Sequence, residues 1–94
     1  MALARVVAFE GVTTGRIEEL EREISEGERA EGLDPTEMIL LHDPEAEKSL
    51  VILLFEDEEA YRRGDAALDA MPAGETPGRR LSVTKYNVAL RIEA

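Results

Sequence analysis

The chain has 94 residues, 44% hydrophobic and 34% charged, a balance that describes one folded domain over residues 1–94 rather than a disordered segment. It contains no cysteine, which excludes disulfides, thiol chemistry and cysteine-ligated zinc. With 21 acidic against 11 basic residues the net charge is −10, so neither anionic nucleic acid nor an anionic membrane surface is an expected partner.

The start, Met1-Ala2-Leu3-Ala4-Arg5, lacks the basic region and apolar stretch of a secretory leader. The longest apolar run, Leu50 to Phe55, is far short of the ~20 residues that span a bilayer, and the expected location is the cytoplasm. Leu3 to Phe9 reads as a strand, with β-favouring Val6, Val7 and Phe9. Gly11 to Gly15 punctuates it, and Thr13 or Thr14 supplies a hydroxyl N-cap for a helix in which Ile17, Leu20, Ile24 and Gly27 recur at helical spacing. Gly27 weakens that helix by about 1 kcal/mol relative to alanine. Gly32 followed by Asp34-Pro35 marks its predicted stop.

Glu37 to His42 and Ser49 to Phe55 are apolar runs of strand length, joined through Pro44 and a cluster of charges as a predicted hairpin. Neither Met38-Ile39-Leu40-Leu41 nor Leu50-Val51-Ile52-Leu53-Leu54-Phe55 alternates with polar residues. A strand with one wet face would alternate, so both faces are expected to be covered. Asp57 then caps a second helix whose Ala60, Tyr61, Gly64, Ala67, Leu68 and Met71 share a face. Glu58–Arg62 and Glu59–Arg63 are spaced to pair on the other face, and Pro72 stops the helix. After a loop from Pro72 to Gly78, Arg79 to Ile92 is predicted as one long final strand. Its apolar parity changes between Leu81 and Val83 on one side and Tyr86, Val88, Leu90 and Ile92 on the other, which predicts a bulge near Lys85 or a strand that changes neighbours along its length.

The order β-α-β-β-α-β predicts an α+β, ferredoxin-like domain, a four-stranded antiparallel sheet with two helices on one face. Nothing else in the chain can cover the second face, so a two-fold homodimer is expected, sheet against sheet. Phe55-Glu56-Asp57-Glu58-Glu59-Ala60-Tyr61 runs from a strand through an acidic cap into the second helix, and Ser82-Val83-Thr84-Lys85-Tyr86-Asn87-Val88-Ala89 closes the sheet. In these segments and in its whole-chain pattern the sequence resembles the dimeric α/β-barrel superfamily. That group includes antibiotic-biosynthesis monooxygenases, haem-degrading enzymes, muconolactone isomerase-like proteins and stress-responsive barrels. The resemblance implies a dimeric barrel with a pocket for a small organic ligand between the sheet and the second helix.

Departures narrow what that resemblance implies. Haem-degrading members use a pocket tryptophan and an axial histidine on the second helix; this chain has no tryptophan, and its one histidine lies on the second strand. No cofactor is therefore expected. Gly11-Val12-Thr13-Thr14-Gly15-Arg16 faintly resembles the phosphate cradle of acylphosphatases, but the asparagine which that family places on the second strand is missing. The aromatic and basic signature of RNA-recognition motifs is missing as well.

His42 is the only side chain that ordinarily titrates near neutrality, so with Tyr86 it is the candidate catalytic, proton-moving group. The alternative for His42 is a polar residue that closes its strand and caps a turn beside Asp43. One histidine among scattered carboxylates gives no ligand set, and no metal is expected. Arg5, Tyr61 and Asn87 are the candidate ligand contacts. Arg5 lies between apolar neighbours, where a charge must leave the sheet or find a partner. Tyr61 can offer its phenol to a ligand or pack in the core. Arg79-Arg80, with Lys85 nearby, can hold an anion or pair with acids across a dimer. Three functions stay open: a non-catalytic ligand-binding barrel, a cofactor-independent monooxygenase or isomerase acting on an aromatic or enolic substrate, and a structural module filled by its own side chains.

Overall fold

A computed structural model of the chain describes residues 2–27, 33–70 and 76–93. The elements are β1 (Leu3–Glu10), α1 (Thr14–Glu26), β2 (Glu37–Asp43), β3 (Lys48–Phe55), α2 (Glu58–Asp69) and β4 (Arg79–Asn87). The strands form one antiparallel sheet in the order β2-β3-β1-β4, so the first strand made is central and the two split βαβ units interleave. This is the α+β, ferredoxin-like arrangement expected from the sequence.

Both helices begin by the predicted chemistry. The Thr13 hydroxyl accepts from the Arg16 amide at 3.1 Å, and the Asp57 carboxylate accepts from the Ala60 amide at 2.8 Å. The odd-numbered residues of β1 and β3 point to the helices and form two linked clusters. One packs Leu3, Leu53 and Phe55 against Ala60 and Tyr61 of α2; the other packs Val7 and Phe9 against Val12 and against Ile17 and Leu20 of α1. Phe55 is wholly buried and meets Tyr61 edge to face at 5.6 Å between ring centres. Gly64 lets α2 approach that ring, because a Cβ there would stand 2.5 Å from Cε1 and Cζ of Phe55.

Three expectations are corrected, and a fourth falls outside the described residues. Helix α1 stops at Gly27, whose extended backbone leaves the helix while its amide still donates to the Glu23 carbonyl; Gly32 lies outside the described residues. Helix α2 closes at Asp69 and Ala70, and the predicted Met71 and Pro72 also lie outside the described residues. Strand β4 ends at Asn87 rather than Ile92, because Asn87 pairs with Leu3 and β1 offers no partner beyond it. The chain continues past that end: the Val88 amide donates to Ala2 at 3.0 Å, and Arg91 pairs with Glu37 of β2. Lastly, the bulge sits at Leu81, not near Lys85. Ala8 pairs with Ser82 and Phe9 with Arg80, so Leu81 is the additional residue, and Arg80 is turned to the helix side of the sheet.

The hairpin loop is built on Asp43, whose Oδ1 accepts the amides of Glu45 and Ala46, and it closes through Glu47 in the left-handed region at φ 53°. The other sheet face carries Val6, Ala8, Ile39, Leu41, Leu50, Ile52 and Leu54. Within one copy this face is open, with Leu41 47% exposed. No helix among the described residues is long and apolar enough to cross a membrane.

A candidate ligand-binding cleft

Helix α1 touches the sheet through Ile17 and Leu20 in its first half. Further along, Ile24 stands half exposed above Met38 and Leu40 without closing on them. The gap is a cleft of about 500 Å³ between α1, the sheet and the end of α2. Its floor is Val7, Phe9, Leu40, Val51 and Leu53, and Leu20, Leu33 and Leu68 form its sides. The strand parity that builds the core therefore also paints this cleft apolar.

Into that apolar lining the sequence inserts Arg5, at the inward parity shared by Leu3, Val7 and Phe9. Its side chain is only 3% exposed. Nε donates to Asp65 Oδ1 at 2.8 Å and Nη2 to Asp69 Oδ1 at 3.2 Å. The two acids are four residues apart on α2, hence on one side of the helix, flanking the core stripe at Tyr61, Gly64 and Leu68. Asp69 Oδ1 also accepts from Arg80 Nη1 at 2.9 Å, so one carboxylate joins the two arginines. Nη1 of Arg5 makes no hydrogen bond among the described residues. Arg16 reaches the same cleft from α1, held by Glu19 and Glu23 and by the Thr76 carbonyl.

The sequence candidates divide between places. Arg5 lines the cleft, and the partner that its burial demanded is the acid pair on α2. Tyr61 is in the core, 6% exposed, with Lys85 Nζ 4.9 Å above its ring. Burial, seconded by the Asp65 carboxylate, pushes the Tyr61 phenol above its usual value, while Arg5 and Lys85 pull the other way. His42 is on the inner side of β2, where Nε2 lies 3.0 Å from the Val12 carbonyl. Val12 is also held through its amide by Glu47 at 2.7 Å, so His42 and the hairpin loop together clamp the β1–α1 connection. Tyr86 pairs with Ala4 on the open face, away from His42, and Asn87 is exposed at the end of β4. His42 and Tyr86 thus do not meet in one site of a single copy.

Arg79 and Arg80 find acids within the chain: Arg79 pairs with Glu10, and Arg80 with Asp69. Lys85 donates to Glu58 at 2.5 Å, which takes that acid from its predicted partner Arg62, whereas Arg63–Glu59 forms at 3.9 Å. Sequence reasoning missed Asp65 and Asp69. Their signal was present, since an arginine at core parity requires a counter-charge, and these acids border the core face of α2. Among the described residues no group of acids and histidine is arranged to hold a metal ion. No family model matches the chain, and no curated protein matches it by sequence.

Proposed function

We propose that this chain binds a small organic molecule in the cleft between α1, α2 and the sheet, working in the cytoplasm as a two-fold dimer of the dimeric α/β-barrel kind. The observation that carries the reading is the cleft itself. Its volume of about 500 Å³ falls in the range of small-molecule sites, and its floor is apolar while Arg5, Arg16, Glu23, Glu37 and Arg80 bring charged groups to its walls. A module filled by its own side chains would leave no such space. Binding without catalysis is the reading favoured here, because His42 is engaged with the Val12 carbonyl and Tyr86 belongs to the other face. A monooxygenase or isomerase needs a proton-moving group at the ligand.

The dimer is supported by the open sheet face. Its centre is apolar and uncharged on a chain of net charge −10. The segment after β4 does not seal it, since Leu90 and Ile92 stay 78% and 75% exposed. A second copy presents an equally apolar, self-complementary face. Native mass spectrometry of protein purified gently from its source tests both parts. The expected result is a dimer carrying a small organic mass, or gaining one from an extract of that source. A monomer would overturn the barrel, and a dimer that takes up no organic molecule would overturn the binding role.

A further inference from the structure

The chemistry of the cleft narrows the class of molecule it can take. This step rests on the binding role just proposed. We propose that the cleft selects an uncharged, largely apolar molecule with one hydrogen-bond-accepting oxygen, such as a ketone, aldehyde or ester. The donor is Nη1 of Arg5, and the carboxylate of the same skeleton is rejected.

Two observations combine. The first is a donor without an acceptor. A guanidinium has five N–H bonds, and the named hydrogen bonds of Arg5 use only Nε and Nη2. Its side chain is almost wholly buried and lines the cleft. Nη1 is not sealed away from solvent: it opens to the cleft, where an oxygen brought by a ligand would take the place of water. The second is the charge already in place. Arg5 and Arg80 are cations, Asp65 and Asp69 are their carboxylates, and the four together are neutral. Arg16, also at the cleft, is held by Glu19 and Glu23, and Glu37 by Arg91. Among the described residues no cationic excess is left for an anion, which would lose its hydration in a cleft that Glu23 and Glu37 also line, on a chain of net charge −10. A carbonyl oxygen needs no counter-charge; it needs an N–H in an apolar wall.

The test compares naphthalene, 2-acetylnaphthalene and 2-naphthoate, three probes of one skeleton, by NMR titration of the full chain near neutral pH. The ketone is expected to bind about tenfold more tightly than either other probe, the effect of one well-placed hydrogen bond. It alone should shift the Arg5 guanidinium nitrogen resonances. In Arg5→Met the ketone should fall to the affinity of naphthalene, whose own affinity stays within about twofold. The guanidinium shift is read on the unaltered protein, so the test survives if that variant fails to fold. Tighter binding of 2-naphthoate would overturn the inference in favour of an anion site, and equal binding of all three would overturn it in favour of apolar contact alone; in both cases the binding role stands. No binding by any probe would overturn the binding role along with the inference.

Discussion

Removing Arg5 should harm the fold less than removing its acids. The ion pair is lopsided: the Arg5 side chain is 3% exposed, whereas Asp65 and Asp69 are 39% and 49% exposed. In Arg5→Met the buried charge is replaced by an apolar chain of similar length, Asp65 turns to water that already reaches it, and Asp69 keeps its bond to Arg80. Exchanges of a buried charge for a hydrophobe are commonly neutral or stabilising by about 1–4 kcal/mol. Here the outcome should lie between no change and about 2 kcal/mol of gain. The double variant Asp65→Ala, Asp69→Ala leaves a buried guanidinium with no counter-charge. Such a loss costs about 3–5 kcal/mol in a sealed site, and about 2–4 kcal/mol here because the acids are half hydrated. A domain of this length holds on the order of 5–14 kcal/mol in all, so the double variant should shift its unfolding midpoint strongly. Asp65→Ala alone, which leaves the Asp69–Arg80 bond intact, should fall between the two. Urea unfolding followed by far-ultraviolet circular dichroism measures all three. If Arg5→Met lost as much stability as the double variant, the assignment of the cost to the buried cation would be wrong.

Three further outcomes are expected. Gly64→Ala gains about 1 kcal/mol of helix propensity but overpacks a wholly buried Phe55 ring, and should be destabilised by about 1–3 kcal/mol net in the same assay; a more stable variant would show that α2 can shift. His42→Ala should lose about 1–2 kcal/mol, because the Val12 carbonyl loses its partner, while cleft affinity measured by NMR stays within about twofold; a large loss of affinity would return His42 to the site. The raised Tyr61 phenol keeps its proton in the folded state at a pH where the unfolded chain has lost it. Stability should therefore be unaffected below pH 10.0, fall as the pH rises past that value, and fall less steeply in Tyr61→Phe; identical slopes would remove Tyr61 as the cause.

What the sequence displayed well was local chemistry. Thr13 and Asp57 cap helices through amides three residues away, and that preference needs no knowledge of the rest of the fold. Asp43-Pro44 marked the hairpin loop for the same reason. The features it hid depend on a partner strand. Leu81 is a bulge only because Ala8 and Phe9 take Ser82 and Arg80 as partners, and the even apolar residues after Asn87 mimic a strand that has no neighbour left. The cleft was hidden differently. Ile17, Leu20 and Ile24 form one stripe in sequence, yet only the first two reach the sheet. Arg5 announced that it needed a partner, but which acids would supply it was fixed by where α2 lies across β1.

The strand order has a consequence for how the molecule is made. β1 is made before the other elements of the sheet, yet it is flanked by β3 and β4, and its pairing with β4 spans from Leu3 to Asn87. During synthesis the β2–β3 hairpin can close by itself and β1 can dock on β3, but one long edge of β1 stays bare until β4 has been delivered. Pairing across such a separation is slow, and an uncovered apolar edge invites other nascent chains. Completion of the sheet thus waits for β4. The exposed interval should be shortest where the codons from α2 to β4 are translated fastest, so slow codons there should lower the soluble yield without altering a single residue.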